Sequence, residues 1–330
     1  MKNVAVLGAT GLVGETVLRI LEQRDFPVKN LYPFASQRSE GQRIMFRDEE
    51  HSVVTEIDEF IDDVDIAFGC LDAPLARELL PQIKDRVVII DNSNAFRMDP
   101  EVPLVVPEVN PDTVKDHHGI IANPNCSTIQ MVVALCPLHK KARIKRIFVA
   151  TYQAVSGYGR DAVDELEYEI ECLAAGHEID KLDDCVFKHY IGNNIIPQIG
   201  SFDESGYTTE EMKMVNETRK IFNDDSIKVV ATCVRIPVYI GHSEVVSVEF
   251  DQRLSADEAR ALLRTAPGVK LIEENEEYPM PYTAAGKDSV YVGRIRKDLA
   301  FENGLALWVV ADNVRKGAAL NAVQIAELLL

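Results

Sequence analysis

The sequence predicts an α/β protein in two parts: a doubly wound parallel sheet, then a second α/β region. Three observations predict it. The chain opens with an apolar strand, a glycine-rich turn and a helical stretch. Apolar runs then alternate with helical segments in a βαβ rhythm. Further on, longer β runs are separated by capped helices, and Asn303-Gly304 marks a hairpin. With 330 residues, two domains are the natural expectation. A hydrophobic content of 46% with 27% charged residues fits a soluble globular chain.

Lys2 to Leu7 reads as the first strand. Gly8-Ala9-Thr10-Gly11-Leu12-Val13-Gly14 follows, and a helix should run from Glu15 to about Gln23. Strand, glycine turn and helix form a pyrophosphate-binding arrangement, because glycines let the backbone approach the phosphates and helix N–H groups receive them. The spacing is GxxGxxG rather than GxGxxG, and a tight turn without a ligand is the plain alternative. The next apolar stretch, Leu31 to Ala35, ends in Ser36-Gln37-Arg38-Ser39. NAD calls for an acidic residue near here to hold the ribose. None is present, and Ser and Arg suit the 2′-phosphate of NADP. Pro33 is awkward in a central strand, so this strand is expected to be frayed or displaced.

Asp65 to Cys70 and Val87 to Asp91 read as buried strands about a helix from Ala73 to Ile83. Asn92-Ser93-Asn94-Ala95-Phe96-Arg97 then lies at a strand's C-terminal end, where open α/β sheets place ligands. Arg97 there is either an anion clamp or a solvated loop residue. A short strand, Gly119 to Ala122, leads into Asn123-Pro124-Asn125-Cys126-Ser127-Thr128. The run after it, Ile129 to Leu138, is apolar nearly all round and reads as a buried helix. That puts Cys126 at a helix N-terminus, where the dipole and unpaired N–H groups favour a thiolate and hold an oxyanion. A small buried hydrophobe is the bland reading of the same cysteine. A domain boundary is expected near Thr128.

Ile147 to Thr151 reads as a strand running into Tyr152-Gln153-Ala154-Val155-Ser156-Gly157-Tyr158-Gly159, then a helix from Arg160 to Ala175. The stretch 177–206 reads as loop, and its His189 as a surface or packed histidine. Thr208 and Glu211 match a capping box, and Glu210, Lys213, Glu217 and Lys220 share a face that reads as ordinary ion pairing. Val229 to Pro237 is a strong β run containing Arg235. A short loop then presents His242, before a strand from Val245 to Phe250. A helix from Ser255 to Ala266 has Ser255 and Glu258 as its capping box. Asp288 to Arg296 and Leu305 to Val310 form the hairpin, and Asp312-Asn313 caps a last helix, Gly317 to Leu330.

The net charge of −18 argues against nucleic acid as a partner. It also means that an anionic ligand must be held by a few local Arg or Lys. No run is long enough to span a bilayer and no signal pattern opens the chain, so the cytoplasm is the expected compartment. The six cysteines show no metal-ligand spacing, and reduced thiols with no metal are expected. A nucleotide fold, a thiol at a helix start and a distant histidine together suggest thioester chemistry with hydride transfer.

GATGLVG, ASQRSEG, NSNAFR, NPNCST, TYQAVSGYG, EEMK, RIPVYIGHSE and ADNVRKGAA, in this order, resemble the bacterial type of aspartate-β-semialdehyde dehydrogenase. The resemblance implies a Rossmann NADP-binding domain over 1–128, completed by a helix at 313–330. It also implies a catalytic and dimerisation α/β domain of the glyceraldehyde-3-phosphate dehydrogenase type over 129–312. It implies NADPH-dependent reduction of L-aspartyl-4-phosphate to the semialdehyde and phosphate, a step serving lysine (through diaminopimelate), threonine and methionine biosynthesis, in a homodimer. Carried onto matching positions, Cys126 is the nucleophile, His242 the acid/base, and Gln153 orients the substrate. Arg235 takes the substrate carboxylate, Arg97 and Lys213 take phosphate, and Glu210 supports them. Gly8, Thr10, Gly11, Leu12, Val13, Arg38, Ser39, Ser156, Gly157 and Asn313 meet NADP(H). Tyr158 stands where a small residue is usual and is expected to narrow the nicotinamide site. Pro33 departs too, and is expected to loosen the 2′-phosphate loop. N-acetyl-γ-glutamyl-phosphate reductase and a non-catalytic NADP-binding paralogue are the alternatives.

Overall fold

The computed structural model describes residues 1–179, 185–273 and 277–330. The chain forms two compact units, Met1–Asn125 with Ala318–Leu330, and Cys126–Gly317. In the first, the elements are β1 (Lys2–Leu7), α1 (Leu12–Gln23), β2 (Val28–Phe34), β3 (Arg43–Phe46), β4 (Glu49–Ser52), β5 (Ile66–Gly69), α2 (Ala73–Ile83), β6 (Val88–Asp91) and β7 (Ile120–Ala122). Five strands make a parallel sheet in the order β2-β1-β5-β6-β7. The winding reverses at β1, whose neighbours β2 and β5 lie on opposite sides. The glycine turn leaves the C-terminal end of β1 and therefore stands at this switch point, where such sheets bind ligands. Val4, Val6 and Phe68 of the sheet, Ile20 and Leu21 of α1, and Leu320 and Val323 of the C-terminal helix (Leu320–Glu327) share one core. Arg24 Nε and Glu327 Oε1, 2.6 Å apart, tie that helix to the end of α1.

Two expectations need correction in this unit. The strand carrying Pro33 is not frayed: it pairs with β1 along its length, with Val6 opposite Pro33. It is an edge strand, so the missing N–H leaves no ladder bond unmade. The hairpin β3-β4 has no forecast in the sequence, because its turn is made by Arg47 and Asp48 at positive φ rather than by glycine.

The second unit contains α3 (Cys126–Ala142), β8 (Ile144–Gln153), α4 (Arg160–Ala175), α5 (Thr209–Phe222), β9 (Lys228–Arg235), β10 (His242–Phe250), α6 (Ala256–Arg264), β11 (Val269–Leu271), α7 (Pro281–Ala284), β12 (Val290–Lys297) and β13 (Gly304–Ala311). A six-stranded mixed sheet runs β11-β12-β13-β10-β8-β9. The buried helix α3 packs against this sheet and against α5 and α6. Contact on so many sides explains its lack of a polar stripe. His242 opens β10 opposite Ala311 rather than lying in a loop, because the β13 ladder extends that far. The last helix begins not at Gly317 but at Leu320, after a π-helical turn over Arg315–Ala319. In 177–206, residues 180–184 lie outside the described residues; His189 is exposed.

Candidate active site

Three strand ends converge in the second unit. β8 and β9 are parallel, and their last residues, Gln153 and Arg235, are register partners. β10 runs the other way, with Ser243 opposite Tyr152, so its first residue, His242, comes to the same end. Strand alternation then puts Thr151 and Gln153, Cys233 and Arg235, and His242 and Glu244 on the buried face. Residues far apart in sequence thus meet because of sheet topology.

His242 is fully buried. Its Nδ1 accepts the Ala154 N–H at 3.0 Å. A ring nitrogen that accepts carries no proton, so the neutral imidazole holds its proton on Nε2. Among the described residues Nε2 has no hydrogen-bond partner. Burial first, then the nearby Arg235 charge, push His242 down to about 3. It is therefore neutral at physiological pH, with a buried N–H that has no partner among the described residues.

Arg235 is also buried, which pulls its guanidinium below the ordinary value, while Glu210, Tyr158 and Cys126 act in the other direction. Its Nη1 donates to the Ala154 carbonyl, and its Nε has no partner among the described residues. A buried cation with unfilled donors is suited to a carboxylate. Gly157 makes room for it: a Cβ there would lie 2.8 Å from Arg235 Nη1 and 3.5 Å from His242 Nε2.

The capping box is present. Thr208 Oγ1 accepts the Glu211 N–H, and Glu211 Oε2 accepts the Thr208 N–H. The other Glu211 oxygen accepts the Cys233 N–H at 3.0 Å, fixing the start of α5 to β9. Glu210 is thereby buried beside Gln153, whose Nε2 donates to Glu210 Oε1 at 3.2 Å and to Thr151 Oγ1 at 3.3 Å. Lys213 Nζ lies 2.9 Å from the second Glu210 oxygen. The pair read as surface ion pairing is partly buried, with its acid inside the cluster.

Cys126 is the first residue of α3 and is half-buried. Gly317 packs on it so closely that a Cβ there would come within 2.8 Å of the cysteine's own Cβ. Burial pushes Cys70 up to about 12 and raises Cys233 further still, so those thiols stay protonated. No disulfide forms among the described residues. Asn313 fastens the surrounding loops: its Oδ1 accepts the Gly241 N–H at 2.8 Å and its Nδ2 donates to Ser156 Oγ at 2.9 Å.

In the first unit, α1 begins without a side-chain cap, at Gly11. Gly8, at φ +86°, approaches the Cys70 carbonyl, where a Cβ would lie 2.3 Å away. At Gly14 a Cβ would lie 2.2 Å from the Gly8 carbonyl. Leu12, Val13 and Gly14 are the first-turn positions, whose N–H groups lack intrahelical acceptors. This turn fits a dinucleotide pyrophosphate. Thr10 Oγ1 and Ser39 Oγ are 3.3 Å apart, while Arg38 is exposed beside them. Arg97 is buried, with Nη2 donating to the Asn92 carbonyl at 2.9 Å. Asn123 donates to Asn92 Oδ1 and accepts from Asn321, joining the two asparagine turns.

Sequence reasoning missed Ala154, whose backbone N–H sets the His242 tautomer; a backbone role leaves no mark on residue type. It missed Gly317 as well, although a glycine inside ADNVRKGAA is a visible sign of close approach. Glu244, fully buried and raised well above the ordinary carboxylate value by burial, was also unsignalled.

Comparison with known proteins gives two family models. The NAD binding domain of semialdehyde dehydrogenase matches residues 3–117, and its dimerisation domain matches 135–316. An aspartate-semialdehyde dehydrogenase of Aquifex aeolicus is 55% identical, the match covering 99% of this chain and 98% of that protein. One from Bacillus subtilis is 47% identical, covering 99% and 97%. The crystal structure of aspartate semialdehyde dehydrogenase II from Vibrio cholerae, complexed with ASA, superposes with a TM-score of 0.96 at 47% identity, covering 100% of this chain and 98% of that one. A Candida albicans enzyme structure with NADP gives a TM-score of 0.77 at 26% identity, covering 100% and 98%.

Proposed function

Because the chain belongs to the semialdehyde dehydrogenase family, we propose that its strand-end cluster carries out the NADPH-dependent reduction of L-aspartyl-4-phosphate. The products are L-aspartate-4-semialdehyde and phosphate. The observation that carries this reading is the meeting of Gln153, Arg235 and His242 beside a helix that begins with Cys126.

The Cys126 thiolate attacks the acyl carbon, phosphate leaves with the bonding electron pair, and a thioester remains. NADPH, when bound, supplies the hydride that reduces it. The oxygen that becomes negative is met by His242, whose Nε2–H donates to it. The C–S bond then breaks, releasing the semialdehyde and restoring the thiolate. Arg235 holds the substrate carboxylate, and Gln153, fixed by Glu210, orients the reacting group. Lys213 and Arg97 hold phosphate. In an acidic protein these three cations supply the attraction that the overall field denies.

Gly8, Thr10, Gly11, Leu12 and Val13 are assigned to the cofactor's pyrophosphate end, and Arg38 with Ser39 to its 2′-phosphate. Ser156, Gly157 and Asn313 are assigned to its nicotinamide end. The two units correspond to a cofactor-binding domain and a catalytic and dimerisation domain. A homodimer is part of the proposal. The face of the mixed sheet opposite α3 leaves Phe148 and Val230 exposed, as an interface would. The cytoplasm is the proposed compartment, and among the described residues no helix is long and apolar enough to cross a membrane.

The test is NADPH formation from NADP⁺, aspartate semialdehyde and phosphate, with wild type and Cys126→Ala side by side. Phosphate-dependent turnover that disappears in the variant is the expected result. A reduced, NADP-binding wild type that does not turn over would overturn the substrate assignment.

A further inference from the structure

Tyr158 sits where the proposed reaction does not use it, yet it is built into the cluster. Its ring centroid lies 4.7 Å from the Arg235 guanidinium carbon. Its hydroxyl accepts the Gly200 N–H at 3.2 Å. Its ring edge meets Phe187 in a T-shaped contact, with centroids 5.7 Å apart.

These contacts act on different things. The ring face attracts a cation and excludes water from one side of the guanidinium. The hydroxyl holds the turn ahead of α5, where Gly200 packs on Thr209, and α5 carries Glu210 and Lys213. The Arg235 guanidinium has only the Ala154 carbonyl as a hydrogen-bond partner among the described residues. The Tyr158 ring face supplies a second contact on the fork, beside that hydrogen bond. A planar fork must be aligned to bind a carboxylate through two N–H groups.

We infer that Tyr158 is a positioning residue for substrate recognition: its ring locks Arg235 into the orientation that receives the substrate's α-carboxylate, and so sets the preference for amino-acid aldehydes over simple ones. This rests on the reading of Arg235 given above. The role lies in recognition, because Tyr158 touches Arg235 and not Cys126 or His242 in any contact described.

The experiment compares wild type, Tyr158→Phe and Tyr158→Ala on two aldehydes. Aspartate semialdehyde carries the carboxylate; 3-aminopropanal is the same molecule without it. Tyr158→Ala should lower the ratio of kcat/KM values for the two by about tenfold, through the KM for aspartate semialdehyde, leaving the KM for NADP⁺ unchanged. Tyr158→Phe keeps the ring and should keep most of the preference. An equal loss on both aldehydes, or no loss, overturns the inference.

Calorimetric titration with L-2-aminobutyrate makes the same comparison without turnover. About tenfold weaker binding to Tyr158→Ala supports the inference. Equal affinity, or no binding to wild type, overturns it. Wild type that binds this amino acid but fails to oxidise aspartate semialdehyde would sink the proposed reaction and leave the Tyr158 result standing.

Discussion

The proposed site of the first unit is made from backbone, and that of the second from side chains. α1 starts at Gly11 with no side-chain cap, so its first N–H groups remain for a ligand. α5 starts at Thr208 with both halves of a capping box closed, and one oxygen of the capping Glu211 also grips β9. The same problem, unpaired N–H groups at a helix start, is left open at α1, where the cofactor is proposed to bind. It is closed where the helix serves as a mount for Glu210 and Lys213. A backbone site depends on shape alone. A side-chain site depends on charge state as well.

The sharpest way to break this contrast is to fill the backbone site. Gly14→Ala places a Cβ 2.2 Å from the Gly8 carbonyl and 2.9 Å from the Ala9 Cα. The turn must shift, and NADPH affinity should fall on the order of a hundredfold or more, since the phosphates rely on that approach. Fluorescence titration of the folded variant measures it. Unchanged affinity would show that the turn does not hold the cofactor.

A smaller effect separates the units by pH. His242 in the folded chain takes its proton only at about 3, against an ordinary value of 6.5. The unfolded chain therefore binds that proton first as pH falls. Stability from keeping His242 neutral is complete above 6.5 and is lost progressively between 6.5 and about 3. Melting curves from pH 7 to 4 should show a steeper acid loss in wild type than in His242→Asn. Parallel curves would mean that another group dominates. Glu244 works in the opposite direction, since burial raises it and its cost grows as pH rises above the ordinary carboxylate range.

The smallest effect closes the open helix. Gly11 has extended backbone angles that serine accepts, and a Cβ there meets only the Gly8 carbonyl, at 3.5 Å. Gly11→Ser supplies the missing cap and should stabilise the fold by a few tenths of a kcal/mol, at roughly the serine-over-glycine difference at this position. The new hydroxyl competes for the N–H groups, so NADPH should bind a few-fold more weakly. Tighter cofactor binding alongside a higher Tm would contradict the competition.

Much of this was legible in the sequence, for identifiable reasons. α2 and α4 fall on their forecast residues because Asp72 and the following proline start one, and a glycine turn bounds the other. The α5 and α6 capping boxes formed as read. Cys126 was placed at its helix start by the Asn-Pro turn and the apolar run alone. What escaped was pairing at a distance. His242 looked like a loop residue because its strand status depends on β13, some seventy residues later. By spacing alone the Glu210–Lys213 pair looked like surface, and only the resemblance put it in the site; its contact with Gln153 is made across distant elements. Tyr158 was read as a departure near the nicotinamide site; that its ring lies over Arg235 is a contact that no spacing encodes.

Gly317 against Cys126 carries a topological meaning as well. These are the last and first residues of the second unit, and they touch. The second unit is thus an insertion in the chain of the first, leaving and returning at almost one point. Such a segment can be cut out and its ends joined by a short linker, or the chain reopened elsewhere, with little change in path. Cys126 stands at that seam, so an excised, closed version of the unit would keep its thiol at the splice and report on whether the join is correct.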